Sequence, residues 1–381
     1  MEICRLFNEK GHKVLILVDE VQPNSEALRQ LIISYQEMVG EGLYVAMVLA
    51  CLSVVQETGA VVKYIKRGID TMADNNLTIG MVGTGMIACS MAVLTTMHGF
   101  DTVILARSEA SRERCLGNIN FYFDEIIAHD LMDEEQKKKC CKLLTFTFRY
   151  SDMKDAELVF ESVIEEKDVK YEVFRQIEEN CPNIKAICSV SSSIVPAALA
   201  EGADKYSDRI VVTHPFNPPH LVPLFEVCGS DKTDPEVFDY VMDFLKRLDR
   251  KPVLLRKPTP GFIGNRLQFA LWREALALVD EGICEPRDVD TVLEYSFCPR
   301  YTSIGIFEHF DNGGLELNAR TCKNVWPILS NATDIPAFMS DLMKEGKTGA
   351  KSDSKTGFYD WNGVDMEAYA KRVSDPYWRM F

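Results

Sequence analysis

A glycine-containing turn between an apolar run and a helical pattern limits what this chain can fold into more than any other feature. The turn runs from Gly83 to Ala88, after an apolar run at 77–82 and before a helical pattern at 87–98. Gly83 permits a tight turn, Gly85 lets the backbone approach a pyrophosphate, and the small Ala88 brings helix and strand close together. The start of a helix also offers N–H donors and a positive dipole to phosphate. The pattern predicts a dinucleotide site formed by Gly83, Gly85, Met86, Ile87 and Ala88.

Strand-like and helix-like segments alternate from residue 77 onward, which is typical of a parallel sheet covered by helices. The strands are predicted at 77–82, 102–105, 158–161, 186–189 and 210–213. Two prolines and a glycine interrupt the pattern at 257–261, and the chain beyond them is mainly helical, starting with 262–280. We therefore predict an α/β fold: a Rossmann-type doubly wound parallel sheet, an all-helical C-terminal domain and a small α/β N-terminal extension. The expected boundaries are 1–75 for the extension, 76–258 for the Rossmann domain and 259–381 for the helical domain.

The N-terminal extension has its own pattern, with strands predicted at 14–18 and 43–49 and a helix at 25–39. The first strand ends in Asp19-Glu20, which resembles the magnesium-holding strand of AAA-type ATPases. No glycine-rich loop with GK[ST] precedes this strand, so ATP binding is disfavoured. We expect an appendage, and we hypothesise that the catalytic unit begins at Met72.

Composition and residue spacing disfavour several classes of function. The formal net charge of -15 disfavours binding to nucleic acid or to an anionic membrane surface. The polar N-terminus does not resemble a signal peptide, and the apolar stretch at 43–55 is too short to cross a bilayer. The 12 cysteines have irregular spacing without a CxxC pair, which disfavours a zinc site and a disulfide framework. We expect a cytoplasmic enzyme with reduced thiols and no bound metal.

The residues after the second strand of the dinucleotide-binding unit bear on cofactor choice. NAD-binding proteins place a carboxylate about 20 residues past the glycines to hold the ribose 2′-hydroxyl. Here the strand at 102–105 is followed by Arg107 and Ser108, with Arg112 close behind. Because arginine attracts a 2′-phosphate, we predict that NADP is preferred, with NAD possible. The alternative is that Arg107 is a surface residue and that another group holds the ribose.

A histidine after a later strand is the candidate general base. His214 follows the apolar strand at 210–213 in a proline-rich segment, and Glu226 comes shortly after it. Oxidation of a secondary alcohol needs a base of near-neutral pKa, and a carboxylate on its other ring nitrogen fixes the tautomer. We predict that His214 is the base and Glu226 its partner. The alternative is a hydrogen-bonded histidine of the core.

Six motifs in one order over about residues 77–360 resemble those of the 3-hydroxyacyl-CoA dehydrogenase superfamily. They are the glycine turn, ESVIE at 161–165, SVSSS at 189–193, HPFNP at 214–218, PGFIGNR at 260–266 and GFY at 357–359. The resemblance implies catalysis by His214 with Glu226, and contact of Ser192 and Asn265 with the substrate oxygen. It also implies that the nicotinamide side of the cofactor meets Glu165 and Lys170, and that Lys351 is a late cofactor contact.

Some positions depart from the pattern of the superfamily. Val190 replaces an asparagine near the cofactor, and Arg107 replaces an acidic residue. The segment at 298–305 contains Arg300, where acyl-CoA enzymes usually have Pro-Met-Gly-Pro. RYxxxG at 300–305, HPxNPPxxxPLxE at 214–226 and NRLQ at 265–268 are more similar to the lambda-crystallin/L-gulonate 3-dehydrogenase and carnitine dehydrogenase branch, whose members oxidise small hydroxy acids. A guanidinium can bind a carboxylate through two hydrogen bonds, so Arg300 is a candidate substrate anchor, with an interdomain salt bridge as the alternative.

The resemblance and the residues together predict a dehydrogenase that oxidises the secondary alcohol of a small 3-hydroxy acid. One alternative is an L-3-hydroxyacyl-CoA dehydrogenase acting on the CoA thioester in fatty acid metabolism. A second is a non-catalytic, crystallin-like protein that only binds the cofactor. The expected partners are a small-molecule substrate and a second copy of the chain, which forms a homodimer through the helical domain.

Overall fold

The computed structural model of the chain describes residues 77–380, together with the backbone of two earlier strands. These strands, β1 (Val14–Asp19) and β2 (Val45–Ala50), pair in parallel. They agree with the strands predicted at 14–18 and 43–49. The helix predicted at 25–39 and the hypothetical start of the catalytic unit at Met72 lie outside the described residues.

An eight-stranded sheet forms the centre of the described chain, in the order β10-β9-β8-β7-β6-β3-β4-β5. Its strands are β3 (Thr78–Val82), β4 (Asp101–Leu105), β5 (Leu144–Thr147), β6 (Ala156–Glu161), β7 (Ala186–Ser189), β8 (Ile210–Pro215), β9 (Leu224–Gly229) and β10 (Lys251–Leu254). All neighbours are parallel except β8 and β9, so β9 and β10 run against the other strands. The predicted α/β fold of the Rossmann type is confirmed. Strands β5, β9 and β10 were not predicted.

Helices cover the sheet, and the described chain after the last strand is mainly helical. Labelled by their order among the described elements, they are α1 (Met86–Met97), α2 (Glu109–Ala128), α3 (Glu134–Lys142), α4 (Lys167–Asn180), α5 (Pro196–Ala200), α6 (Pro235–Arg247), α7 (Phe262–Asp280), α8 (Pro286–Tyr295), α9 (Ile306–Asn312), α10 (Leu315–Val325), α11 (Ala337–Lys344) and α12 (Met366–Trp378). From α7 onward the structure contains helices, 3-10 turns and loops, with one isolated bridge between Thr356 and Asp360. The predicted all-helical C-terminal region is confirmed.

Two hydrophobic clusters lie on opposite faces of the sheet. Successive side chains of a strand point to opposite faces, and here they divide between the clusters. On β7, Ala186 and Cys188 join one cluster and Ile187 the other; on β8, Val211 and Val212 divide in the same way. Both faces are therefore buried under helices, which explains why the central strands are continuous apolar runs.

The chain changes direction across the sheet at β3. Strands β4 and β5 lie on one side of β3, and the later strands begin on its other side with β6. In sheets of this kind, ligands bind outside the carboxyl ends of the strands at this switch point. The glycine turn after β3 and the ends of β6, β7 and β8 all meet at that edge.

Two kinds of feature are absent from the described residues. None of their helices is both long and apolar enough to cross a membrane. Within the same residues, no group of three or more histidine, cysteine, aspartate or glutamate side chains is arranged to hold a metal ion.

Candidate active site

The glycine turn between β3 and α1 has the shape that a dinucleotide needs. Gly83 has a φ of +123°, and a Cβ there would lie 2.7 Å from Ser162 Oγ and 2.8 Å from the Ser162 carbonyl oxygen. A side chain at 83 would therefore strain the backbone and collide with the chain after β6. A Cβ at Gly85, by contrast, would have no described atom within 4 Å.

The N-terminus of α1 is suited to an anion. Gly85 is its N-cap, and no described side chain caps it. Ala88, in the first turn, is buried with 2% of its surface exposed, whereas Met86 is 51% exposed. The described side chains thus leave the N-terminus of α1 uncapped, with an exposed residue beside it. The turn fits a pyrophosphate, with Gly83, Gly85, Met86, Ile87 and Ala88 as the residues around it.

The end of β4 presents an arginine to solvent. Arg107 is exposed, directly after the strand that neighbours β3. Ser108 is the N-cap of α2: its hydroxyl accepts a hydrogen bond from Ser111 N at 3.3 Å. Arg112 forms an ion pair with Glu109 one turn away. Of the three residues predicted to favour a 2′-phosphate, Ser108 and Arg112 therefore have other partners in this structure.

His214 and Glu226 are paired by the sheet itself. They are direct register partners on the antiparallel strands β8 and β9. His214 Nδ1 lies 3.0 Å from Glu226 Oε2, and the exposed fractions of the two residues are 6% and 1%. Because the carboxylate accepts, Nδ1 carries the proton and Nε2 is left as the basic nitrogen.

The second oxygen of Glu226 is bound by the first turn of α7. Glu226 Oε1 accepts hydrogen bonds from the backbone N–H groups of Ile263 at 2.7 Å and Gly264 at 3.1 Å. One carboxylate thus holds both the histidine on β8 and the start of the helix that carries Asn265. A negative charge at a helix N-terminus is favourable, so this contact supports α7 as well as the imidazole.

Two phenylalanines pack around the imidazole. The ring of Phe262 stacks on His214 with centroids 4.4 Å apart and 8° between the planes, and Phe216 meets it edge-on at 6.0 Å. Phe262 has a φ of +50°, which is uncommon for a residue with a bulky side chain. A Cβ at Gly264 would lie 2.3 Å from Phe216 Cζ. The first turn of α7 is therefore in close contact with the segment that follows His214.

Glu165 organises the serine-rich turn after β7. Its Oε1 accepts hydrogen bonds from the hydroxyl groups of Ser191 and Ser193 and from the backbone N–H groups of Ser192 and Ser193, the last three at 3.0 Å. Burial raises the pKa of Glu165, but these hydrogen bonds and the Lys170 ammonium lower the pKa to about 2. Glu165 is therefore a carboxylate throughout the neutral range, and it fixes the turn that carries Ser192.

Lys170 lies behind this turn and has no exposed surface. Its Nζ donates to both oxygens of Glu161, at 2.8 and 2.9 Å, and lies 3.3 Å from Glu165 Oε2. Glu161 Oε2 also accepts a hydrogen bond from Ser189 Oγ at 2.6 Å. The resemblance implied that Lys170 meets the cofactor; in this structure Lys170 is buried and ion-paired with Glu161 and Glu165.

A cleft of about 300 Å³ joins these elements. Its walls contain three of the four predicted catalytic residues, together with Ile87 from the glycine turn. They are Ile87, Val190, Ser192, His214, Pro215, Phe216, Asn217 and Asn265. The structure thus brings together an imidazole, a hydroxyl group and an amide beside the dinucleotide turn, with Glu226 buried behind the imidazole.

Arg300 and Lys351, predicted as a substrate anchor and a late cofactor contact, lie outside this cleft. Arg300 is exposed, and its Nη1 donates to His309 Nε2 at 3.1 Å. Within the described residues, neither a substrate-side carboxylate nor an interdomain salt bridge is seen as its partner. Lys351 is exposed in the loop between α11 and α12. Both assignments stay predictions without support from the geometry of the cleft.

Sequence reasoning missed the residues that support the cleft from behind. Glu161 and Phe262 were recognised only as members of motifs, without a role. A signal for Glu161 existed, since it is an acidic residue at the end of an apolar strand and such a position needs a buried partner. The contact of Ser90 with His220 gave no local signal, because 130 positions separate the two residues.

Two domain families match the chain, one over the sheet and one over the helical region. Residues 78–258 match the domain family described as "3-hydroxyacyl-CoA dehydrogenase, NAD binding domain". Residues 261–361 match the family described as "3-hydroxyacyl-CoA dehydrogenase, C-terminal domain". The two matches follow each other in the order of the sheet and of the helical region.

Several individual proteins are similar to this chain. An L-carnitine dehydrogenase of Mesorhizobium japonicum is 30% identical over 273 residues, which cover 69% of this chain and 72% of the relative. A 5-formyl-3-hydroxy-2-methylpyridine 4-carboxylate 5-dehydrogenase of the same species is 28% identical, and the match covers 72% of this chain and 88% of that protein. The crystal structure of an enzyme of the latter name, described as an NAD+ dependent dismutase, has a TM-score of 0.70 at 25% identity. This match covers 80% of this chain and 96% of the solved one.

The two domain matches together span most of the residues that the structure describes, and the fold agrees with that of a solved relative. The glycine turn and the cleft beside it lie in the matched region. The chain therefore belongs to the 3-hydroxyacyl-CoA dehydrogenase family of NAD-binding dehydrogenases, which act on CH–OH groups.

Proposed function

We propose that this chain oxidises the secondary alcohol of a small 3-hydroxy acid, with His214 as the general base. The observation that supports this most is the pair formed by His214 and Glu226, which leaves Nε2 as the basic nitrogen beside the cleft. Nε2 takes the hydroxyl proton, and Glu226 stabilises the imidazolium that results. The nicotinamide, when bound, accepts the hydride from the carbon that carries this hydroxyl group.

The remaining cleft residues bind and orient the substrate in this proposal. Ser192, from the serine turn, and Asn265, from α7, offer a hydroxyl group and an amide to the substrate oxygen. Glu165 keeps the serine turn in place and lies on the nicotinamide side. Replacing His214 with Asn, which cannot act as a base, should lower kcat by orders of magnitude while cofactor affinity is retained.

The proposed substrate is a free hydroxy acid and not a CoA thioester. The relatives described above include an L-carnitine dehydrogenase and a dehydrogenase of a pyridine carboxylate, and neither name refers to a CoA thioester. A panel of gulonate, carnitine, 3-hydroxybutyrate and 3-hydroxybutyryl-CoA tests this choice. We expect the highest kcat/KM on a free acid. A clear preference for the thioester would assign the chain to the fatty-acid branch, and inactivity on every alcohol would favour a non-catalytic role.

We further propose that NADP is preferred over NAD, although the matched domain family is described as NAD-binding. The support is Arg107, which is exposed after β4 where NAD-binding proteins commonly have an acidic residue. The test is kcat/KM for both cofactors in the natural chain, in Arg107→Asp, and in Arg114→Asp as a control of equal charge on α2. The proposal expects Arg107→Asp alone to move the ratio toward NAD. A strong NAD preference in the natural chain contradicts it.

We propose a homodimer formed through the helical region, and a cytoplasmic location for a chain whose cysteines lack paired motifs. The support for the dimer is the exposure of large apolar side chains from α7 onward, among them Phe307 at 89% and Trp326 at 69%.

The proposed domain boundaries are 76–258 for the Rossmann domain and 259–381 for the helical domain. Expression of residues 72–381 tests the hypothesis that the catalytic unit starts at Met72; loss of folding or activity would refute it.

A further inference from the structure

A buried polar contact joins the cofactor-binding helix to the segment that follows His214. Ser90, on α1, and His220, in the connection between β8 and β9, have exposed fractions of 0% and 2%. Ser90 Oγ lies 2.8 Å from His220 Nδ1 and also accepts a hydrogen bond from the backbone N–H of His220 at 2.8 Å. Because Ser90 Oγ accepts from that N–H, its own proton is available to Nδ1.

The same segment is held from its other side by Arg250, which is 5% exposed. Arg250 Nη1 donates to the backbone carbonyls of Pro219 at 3.1 Å and His220 at 3.3 Å. The ring of Tyr122, from α2, lies 4.5 Å from the His220 ring. His220 is therefore fixed between α1 and α2 through its side chain, while Arg250 fixes its carbonyl.

The contact between Ser90 and His220 is close in sequence to residues that line the cleft. Ser90 comes three residues after Ile87 and His220 comes three residues after Asn217, and both Ile87 and Asn217 line the cleft. The connection is also closed by Val222 N, which donates to Pro218 O at 2.8 Å. A displacement at His220 therefore passes into the segment that begins with His214, through a tight and hydrogen-bonded turn.

We propose that Ser90 and His220 are positioning residues that set the segment after His214 against the cofactor-binding helix. This inference rests on the proposed function, since it assumes that His214 must face the cofactor bound at α1. Ser90 and His220 lie outside the cleft, and they control how the segment after His214 is placed against α1. A small error in the alignment of reacting groups can lower the rate by as much as about 100-fold, so such a pair acts on kcat.

His220 Nε2 supports a specific role for Nδ1. It is buried without a hydrogen-bond partner among the described residues. A buried unpaired N–H is unfavourable, so an apolar ring would fill the same space without this penalty. The feature that distinguishes the imidazole from such a ring is therefore the acceptor Nδ1 toward Ser90.

The test compares kcat, KM, cofactor affinity and melting temperature in four variants. Ser90→Ala removes the hydroxyl group, and Thr96→Val is the matched control, since Thr96 Oγ1 is also buried on α1 but donates within its own helix, to Ala92 O at 2.8 Å. His220→Asn keeps an acceptor at the place of Nδ1, whereas His220→Gln moves the amide to the place of Nε2.

We expect Ser90→Ala and His220→Gln to lower kcat about tenfold or more, with the dissociation constant of the reduced cofactor and the pH profile of kcat unchanged. Thr96→Val and His220→Asn should keep at least about half of the natural kcat, because neither removes the contact between α1 and the segment. A loss of kcat in all four variants that follows their decrease in melting temperature would show a purely structural contact and overturn the proposal. So would a natural kcat in His220→Gln or in a folded Ser90→Ala. Failure of the proposed function is seen separately, as an active His214→Asn variant.

Discussion

At the scale of single residues, Glu226 has the most demanding role in the site. Both of its oxygens are used, one by the imidazole and one by two backbone N–H groups of α7. Replacing it with Gln would place a donor or a neutral acceptor where Nδ1–H now meets a charge. We predict that Glu226→Gln lowers kcat by two or more orders of magnitude, by analogy with the loss of about 10⁴ when the aspartate of a serine-protease triad becomes asparagine.

The measurement for Glu226→Gln is kcat, together with the dissociation constant of the cofactor and the melting temperature. Cofactor affinity should be retained, because Glu226 is buried behind the imidazole and does not line the cleft. Since α7 also loses a favourable charge at its N-terminus, a stability loss of about 0.3–1 kcal/mol is expected in addition. A kcat within about threefold of the natural chain would contradict the role of the pair. If Glu226 orients and stabilises the imidazole, its loss must lower kcat by more than that.

His220 gives a pH dependence that concerns stability instead of catalysis. Burial, and secondarily the charge of Arg250, lower the pKa of His220 from 6.5 to about 3. Between about pH 6.5 and pH 3, His220 is therefore protonated in the unfolded chain but neutral in the folded chain. The free energy of unfolding should fall as the pH drops from about 6.5 toward 3, by up to about 1.4 kcal/mol per pH unit from this group.

The measurement is the difference in unfolding free energy between the natural chain and His220→Asn across that pH range. Asn does not titrate, so the variant should lose less stability on acidification, and the two curves should be parallel above about pH 7. Curves that stay parallel down to about pH 4 would contradict the assignment, since they would show that His220 is not a buried neutral imidazole.

Residues of the site differ in how far the sequence could predict them. His214 and Glu226 were predictable because they lie 12 residues apart in a proline-rich motif that follows an apolar strand. The strand β9, which places Glu226 directly opposite His214, was not predicted. The burial of Lys170 behind Glu165 was not predictable, because it depends on how α4 packs against β6. The partner of Arg300 was not predictable either, because His309 belongs to a separate helix.

At the scale of elements, the strength of the local pattern decided what could be predicted. The bounds of α7 agree with the helical pattern at 262–280, since its periodicity continues over many turns. Strand β5 has only four residues and β10 is largely exposed at the edge of the sheet, so neither has a long apolar run. The reversed direction of β9 and β10 depends on the connection 216–223 between β8 and β9, which is too short for a parallel crossover.

The contact between α7 and the segment after His214 leads to a prediction for Gly264. A Cβ there would lie 2.3 Å from the ring of Phe216, which lines the cleft. We predict that Gly264→Ala displaces Phe216, lowers stability by about 1–3 kcal/mol and lowers kcat/KM about tenfold or more. The control is Gly117→Ala on α2, where a Cβ has no described atom within 4 Å.

Gly117→Ala should raise stability slightly, by about 0.5–1 kcal/mol, because alanine is the better helix former. Denaturant unfolding and steady-state kinetics of both variants decide the matter. If Gly264→Ala is as stable and as active as Gly117→Ala, then the first turn of α7 is not held against Phe216.

At the scale of the whole molecule, burial is distributed unevenly between the two regions. Nearly all buried residues belong to the sheet and its covering helices, whereas from α7 onward only Phe262 and Trp378 are buried among the described residues. Trp378 contacts the first region: its ring stacks on His129 at 4.3 Å. The helices between these two residues therefore have apolar faces that their own region does not cover, which the sequence predicted only from its apolar periodicity.

This uneven burial predicts self-association through the helical region. The double variant Phe307→Glu/Trp326→Glu introduces two charges at positions that are 89% and 69% exposed in the single chain. If a second copy covers them, burying those charges is strongly unfavourable, and the dissociation constant of the dimer should rise at least about 100-fold. Phe148→Glu is the matched control, because Phe148 is 51% exposed near the end of β5. Sedimentation equilibrium of all three chains gives the dissociation constants. A natural chain that sediments as a monomer, or a double variant that stays dimeric, would contradict an interface at these helices.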